Sequence, residues 1–281
     1  MHLGHFNEPL LVFGGAYSNL DALFALKKYA SKHQIPAHNI ICTGDIVAYC
    51  GQPYEAVELI REWGIHVLMG NCEESFATNA NDCGCGFDSG TSCDLLSVEW
   101  YNFANQRLSS AQCQWFSELP RELTLSFLEK KIDIVHGSVT SINQFLFASS
   151  ADHLFAEQAC ASKADIIVAG HSGIPFSKII NQKLWHNTGA IGMPANDGTP
   201  HTWFSVLSAD ASCNAKSSIK IDSIALSYNH SQANKHMREA GLNNAYAAAL
   251  TDGLWPSMDV LTEAEKMQQG IALAAHSIYY E

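Results

Sequence analysis

IICTGDIVAYCGQPYEAVELIRE, residues 40–62, sets an apolar strand, a tight glycine turn and an amphipathic helix in immediate succession. Asn39-Ile40-Ile41-Cys42 is short and mostly apolar, as a buried strand requires, and it stops at Gly44-Asp45. Pro53 suits a first helical turn and Gly64 a C-terminal cap, while Ala56, Val57 and Ile60 share one face. The same junction recurs further along the chain. HVLMGN (66–71) ends at Asn71, IDIVHG (132–137) at His136, and IIVAGH (166–171) at His171. Each apolar run therefore terminates at a metal-competent side chain beside a glycine. In open α/β sheets, ligands bind beyond the carboxyl ends of the strands, where such side chains converge. One carboxylate, one amide and two imidazoles make a mixed O/N donor set, which suits Zn, Mn or Fe better than Ca. Taken alone, each residue reads as a turn former or a satisfied polar group. Their repetition argues for a shared site.

Around this unit the chain keeps alternating. A strand is expected at Pro9–Phe13, ending at Gly14-Gly15, then a helix from about Asn19 with Leu20, Leu23, Leu26 and Ala30 on one face. Ile65–Met69 reads as a third strand. EESFATNANDCGCGFDSGTSC (73–93) shows neither period and reads as a long loop, of a length that accompanies function or mobility. Helical patterning returns over 94–119, with a helix from Ser109 to Leu119. Strands are expected at Leu123–Leu128, Ile132–Val135 and Asp165–Ala169, and a helix at Ser150–Ser162. Further strands near Lys178–Ile180, Leu184–His186, Thr202–Leu207 and Ser218–Ser227 would complete a second sheet. The tail from about Ser231 reads as helical up to Gly253 and irregular beyond. The domain assignment is a body over 1–230, including a Cys-rich loop at 72–93, and an extension over 231–281. That extension packs on the body or enters a dimer contact, and exposure of Trp255 and Met258 would favour the contact.

The chain has 281 residues, 47% hydrophobic and 16% charged, enough to bury a sizeable core in one main domain. Sixteen Lys and Arg against 28 Asp and Glu give a net charge of −12. No basic stripe is offered to nucleic acid or an anionic membrane, so neither partner is expected. A small phosphorylated molecule held by a metal ion remains compatible. The first residues lack the marks of a signal peptide, and no run approaches the roughly 18 apolar residues of a membrane helix. The expected location is cytoplasmic, where nine cysteines would remain mostly reduced and act as packing residues.

GDIVAYCGQPYEAVELIRE (44–62), VLMGN (67–71), DIVHGS (133–138), AGHSGIPF (169–176) and NTGAIGMP (187–194) together resemble the motifs of the calcineurin-like metallophosphoesterases, in their small bacterial and archaeal phosphodiesterase branch. VFGGAYSNLDAL (12–23) is similar to the opening segment of that family. The resemblance runs over residues 10–210 in the family's order. It implies a four-layer α/β/β/α sandwich with two mixed sheets, here carrying a C-terminal extension. It also implies phosphoester hydrolysis at a pair of metal ions. One family site uses the opening Asp and His, a bridging Asp and the last His of a GHxH motif. Those positions hold Gly15, Tyr17, Asp45 and Gly173, so only Asp45 can ligate. The other site maps onto Asp45, Asn71, His136 and His171, all present. The histidine that assists the leaving group is replaced by Cys72, which could donate a proton or bind metal as thiolate.

The expectation is a phosphoesterase-like hydrolase with one Mn, Fe or Zn ion, acting on a phosphomonoester or phosphodiester at a reduced rate. Asp45, Cys72 and His171 are its candidate catalytic residues. Tyr17 and Asn19 are candidate phosphate contacts, Tyr17 equally a space-filler where a metal once sat. Cys72, Cys83, Cys85 and Cys93 follow no zinc-finger spacing, yet four thiols on a glycine-rich loop could hold zinc or an iron–sulfur cluster, form a redox pair, or do neither. The rival reading is a non-catalytic protein that binds metal or nucleotide, or senses redox state, in the same crevice. A homo-oligomer fits either.

Overall fold

The computed structural model describes residues 1–210 and 218–281. In chain order, β1 (His2–Phe6) and β2 (Leu10–Phe13) precede α1 (Leu20–Lys32), β3 (Ile40–Cys42), α2 (Pro53–Trp63) and β4 (His66–Val67). Three helices follow, α3 (Asn71–Thr78), α4 (Ser92–Asn105) and α5 (Ser110–Ser117). Next come β5 (Glu122–Phe127), β6 (Lys130–Val135), α6 (Asp152–Ala161), β7 (Ile166–Ala169), β8 (Phe176–Ile180) and β9 (Lys183–Asn187). The chain closes with β10 (Thr202–Ala209), β11 (Ile219–Leu226), α7 (His230–Glu239), α8 (Ala245–Asp252), α9 (Glu263–Lys266) and β12 (His276–Tyr280).

The strands form two six-stranded mixed sheets, ordered β1-β5-β6-β7-β9-β8 and β12-β11-β10-β2-β3-β4. Strand alternation sends successive side chains into different layers. Leu10 and Val12 enter the core between the sheets, against Ile132, Ile134, Ile166 and Val168. Leu11 and Phe13 face the other way and pack with Leu23 and Leu26 of α1 and Ala56, Val57 and Ile60 of α2. Beyond the first sheet, Phe155 of α6 covers Ile167, Ala169 and Trp185. The architecture is the expected α/β/β/α sandwich. Each fully buried Leu or Phe in these layers contributes roughly 1.5–3 kcal/mol of transfer free energy.

Pairing is parallel through β2-β3-β4 and through β6-β7-β9. The loops that leave β3, β6 and β7 therefore open on one edge of the sandwich. Gly44 is needed there, because a Cβ on it would fall 2.5 Å from the Gly70 nitrogen and 2.9 Å from Nδ1 of His136. Its φ of +97° also lies in the region that side chains disfavour.

The partition of strands differs from the sequence reading. β8 and β9 belong with β6 and β7, whereas β10 and β11 extend the sheet of the first half. Residues 73–93 are not one loop either: α3 takes 71–78 and α4 begins at Ser92. Glu73 closes the first turn of α3 by a side-chain bond to the Gly70 nitrogen, and Asn79 ends the helix at φ +53°. Two strands also escaped the reading. β1 is diluted by Gly4 and two histidines, and β12 lies in the tail and pairs with β11 across a long sequence separation. The extension lies on the body, and neither Trp255 nor Met258 is exposed.

Candidate metal centre

Asp45 follows β3 in the left-handed region, at φ +56°, where a non-glycine residue needs external support. Glu73 gives that support. Its buried carboxylate accepts from the backbone nitrogens of Asp45 at 2.7 Å, Ile46 at 2.8 Å and Gly70 at 3.0 Å. One side chain thus ties the turn that carries Asp45 to the turn that carries Asn71. Burial, followed by the nearby Asp45 charge, pushes the Glu73 carboxyl up to about 7, against the pull of those hydrogen bonds. The sequence reading missed Glu73, although an acid two residues after Gly70-Asn71 is the mark of a helix-capping pair.

Four acceptor atoms meet in front of this turn. His136 Nδ1–H donates to the Thr43 carbonyl at 2.6 Å, which leaves Nε2 facing inward. Nε2 lies 3.0 Å from Asn71 Oδ1, 3.0 Å from His171 Nδ1 and 3.2 Å from Asp45 Oδ2. The Asn71 amide is oriented by its own donor, since Nδ2 gives a hydrogen bond to the Cys83 carbonyl at 2.9 Å. Asp45 Oδ1 is taken by the Cys72 backbone nitrogen at 3.2 Å, so Oδ2 is the oxygen turned to the histidines. Asp45, His136 and His171 form the group of His, Cys, Asp and Glu side chains suited to a metal ion among the described residues. Two imidazole nitrogens, an amide oxygen and a carboxylate oxygen crowd together, in conflict unless a proton or a cation lies between them. A bound cation resolves that conflict, so the residues fit a metal.

The charges respond to this crowding. Burial opposes ionisation of Asp45, but the histidines, His136 foremost, hold its carboxyl well below the usual range. Burial would depress His136, yet the Asp45 carboxylate outweighs it and the ring is raised. His171, more weakly coupled to Asp45, stays lowered by burial. Its Nε2 is buried without a hydrogen-bond partner among the described residues.

The neighbouring position is filled. Tyr17, at φ +48°, swings its ring back over Gly15, and a Cβ at Gly15 would sit 2.0 Å from Cε1 of that ring. The tyrosine is buried, and burial first, then the Asp45 charge, raises its hydroxyl well above the ordinary value. Its hydroxyl therefore stays protonated. On the far side, the Trp255 indole reaches 3.5 Å from where a side chain on Gly173 would begin. Asn19, the other candidate phosphate contact, is engaged at both ends: its Oδ1 caps α1 through the Ala22 nitrogen and its Nδ2 donates one hydrogen bond to the Gly192 carbonyl.

The four thiols do not come together. Cys83 and Cys85 are paired as a disulfide, and Cys72 lies beside them, its Sγ 3.5 Å from Asn71 Nδ2. Cys93 sits instead at the start of α4, against Asp259 and Ser257 of the extension. A four-cysteine cluster is therefore not assembled here. Burial, then the Asp45 charge, keeps the Cys72 thiol protonated.

A sequence model described as the calcineurin-like phosphoesterase superfamily domain matches residues 19–211. The chain belongs to that superfamily. Among curated relatives of this chain, an uncharacterized protein of Methanocaldococcus jannaschii is 26% identical over 169 residues. That alignment takes in 59% of the present chain and 63% of the archaeal protein's length. A metallophosphoesterase from Sphaerobacter thermophilus superposes with a TM-score of 0.67 at 20% identity, covering 89% of this chain and all of that one. A hypothetical protein from Pyrococcus horikoshii OT3 reaches 0.69 at 15% identity, covering 90% and 99%. Both likenesses concern the fold. The superfamily assignment agrees with the motifs at Asp45, Asn71, His136 and His171. No helix among the described residues is long and apolar enough to cross a membrane.

Proposed function

We propose that this phosphoesterase-like chain hydrolyses a small phosphomonoester or phosphodiester with one transition-metal ion held by Asp45, Asn71, His136 and His171. The convergence of four oriented acceptor atoms on one buried point carries the reading. Mn, Fe or Zn suits this donor set. Such an ion supplies Lewis-acid polarisation of a phosphoryl oxygen. The protein's part is to hold that charge in place: Thr43 fixes the His136 ring, Cys83 fixes the Asn71 amide, and Glu73 fixes the Asp45 turn. The protonated Cys72 thiol is the group assigned to give a proton to the leaving oxygen. With Tyr17 in the place of a second ion, turnover below that of two-metal relatives is expected.

Tyr17 and Trp255 also favour a second reading, in which the crevice binds metal and a phosphorylated ligand without turning it over. Elemental analysis combined with a panel of phosphoesters separates the two. Dialysis against Zn, Mn or Fe should leave about one equivalent of ion per chain. Asp45→Ala and His136→Ala should then lose both the ion and the activity. Tight metal with no turnover on the panel selects the binding protein. A folded wild type that takes up no ion sinks both readings.

A further inference from the structure

Next to the ligand cluster a crevice opens between the body and the C-terminal extension. Tyr17, Tyr49, Phe145, Tyr246 and Trp255 wall it, and His171 is the metal-site residue that reaches it. None of the described residues lining it is lysine or arginine. Its walls brace one another. Phe145 lies across the His171 ring at 4.1 Å, Tyr49 stacks on Tyr246 at 4.5 Å, and Tyr17 meets Tyr49 edge-on at 4.9 Å. Trp255 is pinned at both of its nitrogens, the backbone N–H donating to Asn196 Oδ1 at 2.8 Å and Nε1–H to the Pro194 carbonyl at 2.7 Å.

We propose that this crevice receives a flat, uncharged aromatic ring of the substrate, which is then a monoanionic phosphodiester and not a phosphomonoester or a polyphosphate. The word substrate rests on the hydrolase reading above, whereas the ring-binding crevice does not. Aromatic walls favour a planar apolar group by edge and offset-stacked contacts. Because they are already fixed, little side-chain freedom is lost on binding. A multiply charged anion gains nothing from them: with no lysine or arginine on the lining, its desolvation goes uncompensated. The net charge of −12 further disfavours highly charged anions.

Methyl phenyl phosphate and dimethyl phosphate are both monoanions and differ by the ring. Their binding to the full, metal-loaded chain is measured by calorimetry, and their hydrolysis separately by phosphorus NMR. The phenyl ester should bind at least about tenfold more tightly, and phenyl phosphate should not surpass it. Trp255→Leu and Tyr246→Leu, checked for native circular dichroism, should each erase most of that preference while leaving dimethyl phosphate binding unmoved. Equal binding of the two diesters, or a preference untouched in both folded variants, overturns the inference. Hydrolysis indifferent to the ring leaves the hydrolase reading standing and removes this one. Ring-dependent binding with no hydrolysis of any ester does the reverse.

Discussion

A single methyl group at position 15 would show how tightly the Tyr17 ring is packed over Gly15. The tyrosine ring lies where that methyl would go, and the ring is buried among Asp45, Cys72 and Gly192. Gly15→Ala must displace it, an overpacking change that costs about 1–3 kcal/mol. Combining it with Tyr17→Ala should return part of that loss, and the non-additivity in a urea-unfolding cycle measures the contact. Strictly additive losses would mean that the ring yields freely. At this scale the family resemblance singled out Gly15, Tyr17 and Gly173, but not where the neighbouring side chains go. Tyr17 closes over Gly15 from a left-handed backbone, and Trp255 arrives from 82 positions further along the chain than Gly173. Neither placement has a local period to betray it. Glu73 was overlooked because it acts on backbone nitrogens, which no side-chain motif records.

Among elements, the strand–turn–helix unit over 40–62 was legible because each part obeys its own rule: an apolar strand, Pro53 at the helix start, and Gly64 at φ +70° at its end. α3 was not, since its eight residues carry no apolar stripe and its first turn is held by a carboxylate shared with another loop. The sheets were mispartitioned because β8–β9 and β10–β11 are all hairpin-like neighbours in sequence. His186 of β9 binds the two sheets together at that boundary. Its Nδ1 meets Ser177 Oγ of β8 at 2.8 Å, and its Nε2 meets Ser205 Oγ of β10 at 2.7 Å. Burial, with some help from His276, holds this imidazole down to about 3. The unfolded chain therefore takes up the proton first as pH falls from the ordinary value of 6.5. The stabilisation is complete above that value and is lost below it, by about 2 kcal/mol at pH 5. Urea unfolding between pH 8 and about 4 should show that slope, and His186→Gln should flatten it by one proton. An unchanged slope in the variant would assign the acid sensitivity to other groups.

For the whole molecule, the extension matters as much as the sandwich, because it supplies Trp255 to the crevice and β12 to the sheet edge. Sequence patterning marked it as helical up to Gly253, where α7 and α8 lie, and irregular beyond, as 254–262 is, but did not say which residues of the body it rests on. Asn196 is the hook. It accepts the Trp255 amide through Oδ1 at 2.8 Å, and its carbonyl accepts the Gly270 amide at 2.9 Å, so it touches the extension at two separated points. Its own φ of +59° is a conformation that asparagine tolerates and alanine resists. Asn196→Ala should therefore lose the Trp255 bond and add backbone strain, together about 2–3 kcal/mol. That loss should fall on the extension before it falls on the body. Asp197 holds the Leu273 nitrogen at 3.0 Å, and Ser149 and Thr262 join across the same seam at 2.6 Å, but these lie further from the crevice. Hydrogen exchange should consequently show faster exchange at the amides of Trp255 and Gly270, with the β2, β3 and β6 amides keeping their protection. Uniform loss of protection throughout would show that extension and sandwich unfold as one cooperative unit, and that the wall of the crevice cannot loosen without the fold.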